Sequence, residues 1–257
     1  MKKLAIAGLF AALAVAATGA QDKASAAEAG AELPEYHWSF EGIFGTYDRA
    51  AAQRGLQVYV EVCASCHGLK YVAFRNLKDI GYSEEEVKAF ASQFTVTDGP
   101  NDAGQMFDRE ARPSDRFPEP FANEQAARAA NNGAYPPDLS VIAQARAHGP
   151  DYLTALLIGY EDPPADMELG AGQYYNKYFP GGQIAMPQLL YEGSVDYADG
   201  TEATPEQMAQ DVSHFLMWAA EPHLEERKQM GMKVILFLLV FTGLTYALKK
   251  KIWKDIH

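Results

Sequence analysis

The chain has 257 residues, 22 of them Lys or Arg and 34 Asp or Glu, for a net charge of −12 at neutral pH. Residues before 27 hold three lysines and one aspartate, and residues after 228 hold five lysines and one aspartate. The segment between therefore carries 14 basic against 32 acidic residues, a net −18, which excludes nucleic acid as a partner and steers a basic one toward the surface.

The N-terminus reads as an export signal. Lys2 and Lys3 precede an apolar stretch from Leu4 to Ala17, too short to span a bilayer, and small residues follow with cleavage after Ala20 or after Ala26. Asp48 to Val62 carries Leu56, Tyr59, Val60 and Cys63 at helical spacing and is predicted as a helix. It runs into Cys63-Ala64-Ser65-Cys66-His67, which contains both cysteines of the chain.

Two cysteines two apart, followed at once by histidine, form an attachment site for a c-type haem. Each thiol adds to one haem vinyl group, and the histidine falls under the iron as an axial ligand. A structural zinc site needs four ligands, usually two such pairs, and the sequence has no second pair. A thioredoxin-like pair needs a βαβ setting and no histidine. A disulfide fits an exported protein but leaves His67 unexplained.

Ser83 and Glu86 form a capping box before Val87, Phe90, Ala91 and Phe94. Asp98 to Pro120 is polar, with Pro113, Pro118 and Pro120, and is predicted as a loop. Glu124 to Ala130 is predicted as a short helix, and Pro136-Pro137 forces an extended turn. Asp138 or Ser140 caps a helix through Ala147, and Asp151 caps another through Tyr160. Glu161 to Tyr197 is Gly- and Pro-rich, aromatic and aperiodic, as functional loops usually are.

Thr204-Pro205-Glu206-Gln207 is a helix start, with Met208, Val212, Phe215, Leu216 and Ala219 as a core face and Pro222 as an interruption. Met230 to Leu248 is apolar except for Lys233 and spans roughly 28 Å as a helix, close to one hydrocarbon core. Lys249, Lys250, Lys251 and Lys254, with Trp253 at the interface, predict a cytoplasmic tail.

An electron carrier closes the second face of the iron with methionine or histidine. Candidates are Met106, Met167, Met186, Met208 and Met217, with His37, His148, His214 and His223 as alternatives. Met186 stands out in Gly181-Gly182-Gln183-Ile184-Ala185-Met186-Pro187. Its proline keeps it extended, and its glycines let backbone approach a flat ligand.

Several stretches together resemble the cytochrome c1 family, the haem c subunit of the ubiquinol–cytochrome c oxidoreductase (cytochrome bc1) complex, in its bacterial form. They are His37-Trp38-Ser39-Phe40, Arg54 to Tyr59, Asp98-Gly99-Pro100-Asn101, Ala126 to Ser140, Tyr178 to Gly181, and Trp218 to Pro222. The resemblance implies a mainly α fold: a class I cytochrome c-like haem domain with long loop insertions, plus one C-terminal transmembrane helix. It implies one covalent haem c on Cys63 and Cys66, with His67 and Met186 as iron ligands. Arg146, Tyr152 and Asn131 would lie near the haem propionates, where a guanidinium can pair with a carboxylate. Pro137, with the rest of the Pro136-Pro137-Asp138-Leu139 segment, would pack beside the haem. Some relatives carry an extra cysteine pair that this chain lacks.

The domain limits expected are a signal peptide at 1–26, a periplasmic haem c domain at 27–228, a transmembrane anchor at 229–249 and a basic cytoplasmic tail at 250–257. The implied role is electron transfer from the Rieske iron–sulfur protein to a soluble c-type cytochrome. The anchor would pack against cytochrome b in the inner membrane, within a dimeric complex. By itself the chain would be a carrier that breaks no substrate bond, and within the complex it would be part of a reductase. Two alternatives stay open: a membrane-anchored donor to a terminal oxidase, and a haem sensor or enzyme with an open iron face.

Overall fold

The computed structural model describes residues 31–254; the expected signal segment 1–26 lies outside them. Among the described residues the helices are α1 (Arg49–Val58), α2 (Glu84–Ala91), α3 (Glu124–Ala130), α4 (Ile142–Ala145), α5 (Gly149–Ile158), α6 (Pro205–Ala220) and α7 (Leu224–Ile252). Two antiparallel hairpins join them. In one, β1 (Thr95–Asp98) pairs with β2 (Phe107–Glu110), Thr95 opposite Glu110. In the other, β3 (Tyr174–Tyr175) pairs with β4 (Gln183–Ile184). The chain is mainly helical, as expected.

Helix α1 begins where the Asp48 carboxylate accepts the N–H groups of Ala50 and Ala51 at 2.9 and 3.2 Å. The predicted helix to Val62 is continuous, but its last turn widens into a π-turn over Tyr59–Cys63, closed by Ala64 N–H to Tyr59 O at 2.8 Å. Helix α6 starts as predicted: the Thr204 side chain accepts Gln207 N–H at 3.1 Å, and Pro205 takes the first position.

Helices α1 and α6 cross at Gly55. A methyl group there would lie 2.0 Å from the Asp211 carbonyl oxygen and 2.6 Å from Phe215 Cβ. Beside the crossing, the Arg54 guanidinium forks onto buried Asp211 at 2.8 and 2.9 Å. Leu56, Tyr59, Met208, Phe215 and Trp218 are all at most 1% exposed and form the center of the core; each contributes about 1.5–3 kcal/mol of burial.

A second cluster joins Phe74, Phe90, Phe94 and Phe117, with the Phe74 and Phe117 ring centroids 4.5 Å apart. It is the destination of the apolar face predicted behind Ser83. The Ser83 capping box forms, with Glu86 N–H to Ser83 Oγ at 3.2 Å and Ser83 N–H to Glu86 Oε2 at 2.8 Å.

Three local expectations need correction, and one element was not anticipated. The segment 98–120, read as a loop, holds the second arm of the β1–β2 hairpin. Its strands are short and charged, and Arg109 pins them by bridging Asp98 and Asp115 at 2.5 and 2.6 Å. Phe74–Ile80 is a 3₁₀ helix that the periodicity did not reveal. The helix expected from Asp138 to Ala147 shrinks to α4, because Asp138 and Ser140 accept hydrogen bonds from the Lys70 and Tyr71 amides instead of capping. Helix α5 opens on His148 in the left-handed region (φ 61°), and Asp151 accepts Trp38 Nε1–H at 2.6 Å rather than capping.

Helix α7 contains the predicted apolar run Met230 to Leu248 and extends past both ends. It is long and apolar enough to cross a membrane, and its apolar stretch is uncovered by the rest of the chain.

Two consequences are testable. Gly55→Ala forces the helices apart and should lower stability by about 1–3 kcal/mol; denaturant titration of the detergent-solubilised protein reads it. The second concerns His214, packed among the rings of Trp38, Phe40 and Tyr47 and accepting Asp48 N–H on Nε2 at 3.1 Å. Burial lowers its pKa from 6.5 to about 4. The unfolded chain therefore binds a proton that the folded chain refuses. The stabilisation is complete above pH 6.5 and is lost as pH falls toward 4, by about 3 kcal/mol. Thermal melts between those pH values should flatten in His214→Gln.

Candidate functional site

The π-turn ends α1 on Cys63, and a tight turn follows, with Cys66 and His67 N–H both donating to Cys63 O at 3.1 and 3.0 Å. This brings the two thiols and the imidazole onto one short stretch behind the core. Both cysteines are free and half-buried. Burial pushes the Cys63 thiol up to about 12, with the Cys66 sulfur adding to the shift, so it stays neutral at physiological pH.

The histidine is held on both sides. Its carbonyl accepts the Tyr59 hydroxyl at 3.0 Å, and its Nδ1 lies 2.7 Å from the Pro137 carbonyl oxygen. A carbonyl can only accept, so Nδ1 carries the hydrogen. Burial holds the ring below the usual histidine pKa, against the opposing pull of the Pro137 carbonyl and Asp138. The result is a neutral imidazole with its lone pair on Nε2, the form that binds a metal.

The loop after His67 is zipped to the Pro137–Ser140 segment. Leu139 N–H donates to Gly68 O at 2.8 Å, Lys70 N–H to Asp138 Oδ2 at 3.0 Å, and Tyr71 N–H to Ser140 Oγ at 3.0 Å. Asp138 also accepts Ser140 N–H at 3.0 Å. The sequence pointed to the 136–139 segment as a neighbour of the site but gave no role to the Pro137 carbonyl or the Tyr59 hydroxyl, and it read Asp138 as a helix cap. The only signal available was the Pro136-Pro137-Asp138 turn itself.

Met186 is half-buried in the irregular segment, two residues beyond β4, and its carbonyl accepts the Tyr160 hydroxyl at 2.9 Å. Gly182 matters here for a reason the sequence did not indicate: φ is +74°, and a Cβ would meet the Tyr175 ring at 2.9 Å and Met167 Cε at 3.3 Å. Other candidates are placed elsewhere. Met208 is fully buried in the core, Met106 is exposed at the β1–β2 loop, and His214 is spent on Asp48. Met217 Sδ faces Gln144, and His223 sits beside Glu226 at the surface.

The remaining residues fall on the connecting elements. Asn131 caps α3 and donates from Nδ2 to Ala127 O at 2.7 Å. Arg146 ends α4 with an exposed guanidinium that no ion pair holds among the described residues. Tyr152 is buried on α5.

The residues present fit a c-type haem on the chemistry of their donors. Two unpaired thiols stand at the right spacing beside an imidazole with a fixed tautomer, and an uncommitted guanidinium is available for a propionate. Asp138→Ala should loosen the zipper by about 1 kcal/mol, seen as roughly fivefold faster amide exchange across residues 67–71 with little change in α6.

The sequence model of the Cytochrome C1 family matches residues 38–256. The chain is 52% identical over 261 residues to a protein named cytochrome b/c1 from Bradyrhizobium diazoefficiens, covering 93% of this chain and 38% of that relative's length. It is 55% identical over 215 residues to cytochrome c1 1, heme protein, mitochondrial, from Arabidopsis thaliana, covering 84% of this chain and 70% of the relative. A third relative, the cytochrome b-c1 complex catalytic subunit of Candida albicans mitochondria, is 48% identical over 236 residues, covering 91% and 82%. The family match spans both the zipped histidine loop and the apolar helix, so the chain belongs to the cytochrome c1 family.

Proposed function

We propose that the chain is the membrane-anchored haem c subunit of a cytochrome bc1-type complex. In this reading it takes single electrons from a Rieske iron–sulfur protein and gives them to a soluble c-type cytochrome. The observation that carries the reading is the Cys63–Cys66–His67 turn with its imidazole fixed by the Pro137 carbonyl. The relatives' names support the complex, since one is a cytochrome b/c1 and another a catalytic subunit of the b-c1 complex.

In this proposal Cys63 and Cys66 would tether the haem, and His67 Nε2 and the Met186 sulfur would be the iron's ligands. Arg146, Tyr152 and Asn131 bind or orient the propionates, and Pro137 holds the imidazole. Haem c bound there supplies one-electron redox chemistry, at a potential raised by the histidine–methionine pair. Tyr160 fixes the backbone of Met186, and the zipper fixes that of His67, so little reorganisation accompanies a change of charge.

Residues 27–228 would lie on the periplasmic side of the inner membrane after removal of 1–26, with 229–249 as the anchor beside cytochrome b and 250–257 in the cytoplasm. The net −18 of the outer segment suits a basic soluble carrier. The assembly would be dimeric.

Met186→Leu should abolish the sulfur-to-iron charge-transfer band of the oxidised protein and lower its midpoint potential, while Met167→Leu leaves both unchanged. An unaltered band in Met186→Leu contradicts the ligand assignment. Purification of the complex tests the rest. Co-purifying b-type haem and an iron–sulfur centre support the reading, and copper in their place favours a terminal-oxidase donor.

A further inference from the structure

Phe44 and Ile43 are the two most exposed large apolar side chains among the described residues, at 75% and 68%. They sit at the tip of a small loop closed by Thr46 N–H to Ser39 O at 2.9 Å and Glu41 N–H to Trp38 O at 3.0 Å. The haem site does not use them. Their flanks are polar: Glu41, Thr46 and Asp48 are exposed.

The root of this loop is bonded to the start of α7 at three levels. Tyr47 Oη–H lies 2.9 Å from Glu221 O, just before the helix. Glu225 accepts Tyr47 N–H at 2.8 Å and both Arg49 Nη groups at 2.8 and 2.9 Å. Lys228 Nζ donates to Phe40 O at 2.5 Å and to Gly45 O at 3.1 Å, the two carbonyls that bracket the tip. Lys228 stands two residues before Met230, where the apolar run begins. Two residues of helix rise about 3 Å. The root of the loop is thus bonded to the helix just before its apolar run begins.

We propose that Ile43 and Phe44 insert into the headgroup–acyl boundary of a phospholipid bilayer. The head domain then meets the membrane at two fixed points, the helix and the loop. This inference rests on α7 crossing the bilayer. A lipid surface fits better than a protein, because two side chains within a polar rim are far too small for a stable protein interface, which buries about 1,200–2,000 Å². They match the shallow insertion of apolar groups flanked by a headgroup-level cation. With one contact the head could swing about the helix axis; with two its tilt is set.

The test uses the full chain in phosphatidylcholine vesicles, with an environment-sensitive nitrobenzoxadiazole label on F44C, its position mapped by peptide mass. A second protein carries the label on L239C, in the middle of the apolar run. I43C serves as a second loop site, and the visible spectrum of each variant checks folding. Chains brominated near the headgroup should quench the labels at 44 and 43 most, and chains brominated near their ends should quench the label at 239 most. Quenching at 239 with none at 43 or 44 overturns the loop proposal and leaves the anchor intact. No quenching at 239 overturns the anchor reading and the loop proposal with it. Loop quenching that disappears when the chain is assembled in its complex means that a protein covers the tip, and also overturns the proposal.

Discussion

The close crossing of α1 and α6 at Gly55 is the constraint from which the site follows. With no side chain at Gly55, the α1 backbone rests against the Asp211 carbonyl, and Arg54 locks the pair through a fork onto the same aspartate. That contact sets where α1 ends. The π-turn at its end then carries Cys63, Cys66 and His67 out of the core on a fixed stalk, with Tyr59 buried beneath and bonded to the His67 carbonyl. Moving the crossing by the width of a methyl group would move both thiols and the imidazole together.

The loop that carries Met186 is built differently. The His67 side depends on a helix and a four-bond zipper to the 137–140 segment. The Met186 side depends on a loop held by single bonds: Tyr160 to the Met186 carbonyl, Asn176 Nδ2–H to Leu156 O at 2.7 Å, and a two-residue hairpin. Backbone bonds thus hold both the His67 loop and the Met186 loop in place. Below the head, Glu225 and Lys228 bond the loop at 40–49 to the first turns of α7. The head is therefore continuous with its helix rather than hung from a linker.

The parts legible in the sequence are those coded by neighbours in the chain. The cysteine–histidine motif, the Ser83 and Thr204 caps and the apolar run after Met230 each state their structure within a few residues. Helix α3 also matched its expected span. The parts that were not legible are set by partners far along the chain. Asp138 looks like a helix cap, yet its carboxylate bonds the amide of Lys70, so α4 is short. The charged β1–β2 hairpin has no alternation to betray it, and Arg109 supplies what patterning does not. The π-turn at Tyr59–Cys63 hides because its residues keep helical spacing. For the candidate site, the motif pointed to the thiols and the imidazole, and the Gly-rich segment together with the resemblance pointed to Met186. Only the fold revealed that Pro137, Tyr59 and Tyr160 hold them.

The central claim is that Cys63 and Cys66 are both consumed in holding one haem. The most direct measurement is peptide mass analysis of the mature chain purified from cells competent in cytochrome c maturation, combined with a thiol count under denaturing conditions. The account predicts a peptide spanning residues 63–67 that is heavier by the mass of one haem, and no thiol open to alkylation. An unmodified peptide with two alkylated cysteines would contradict it.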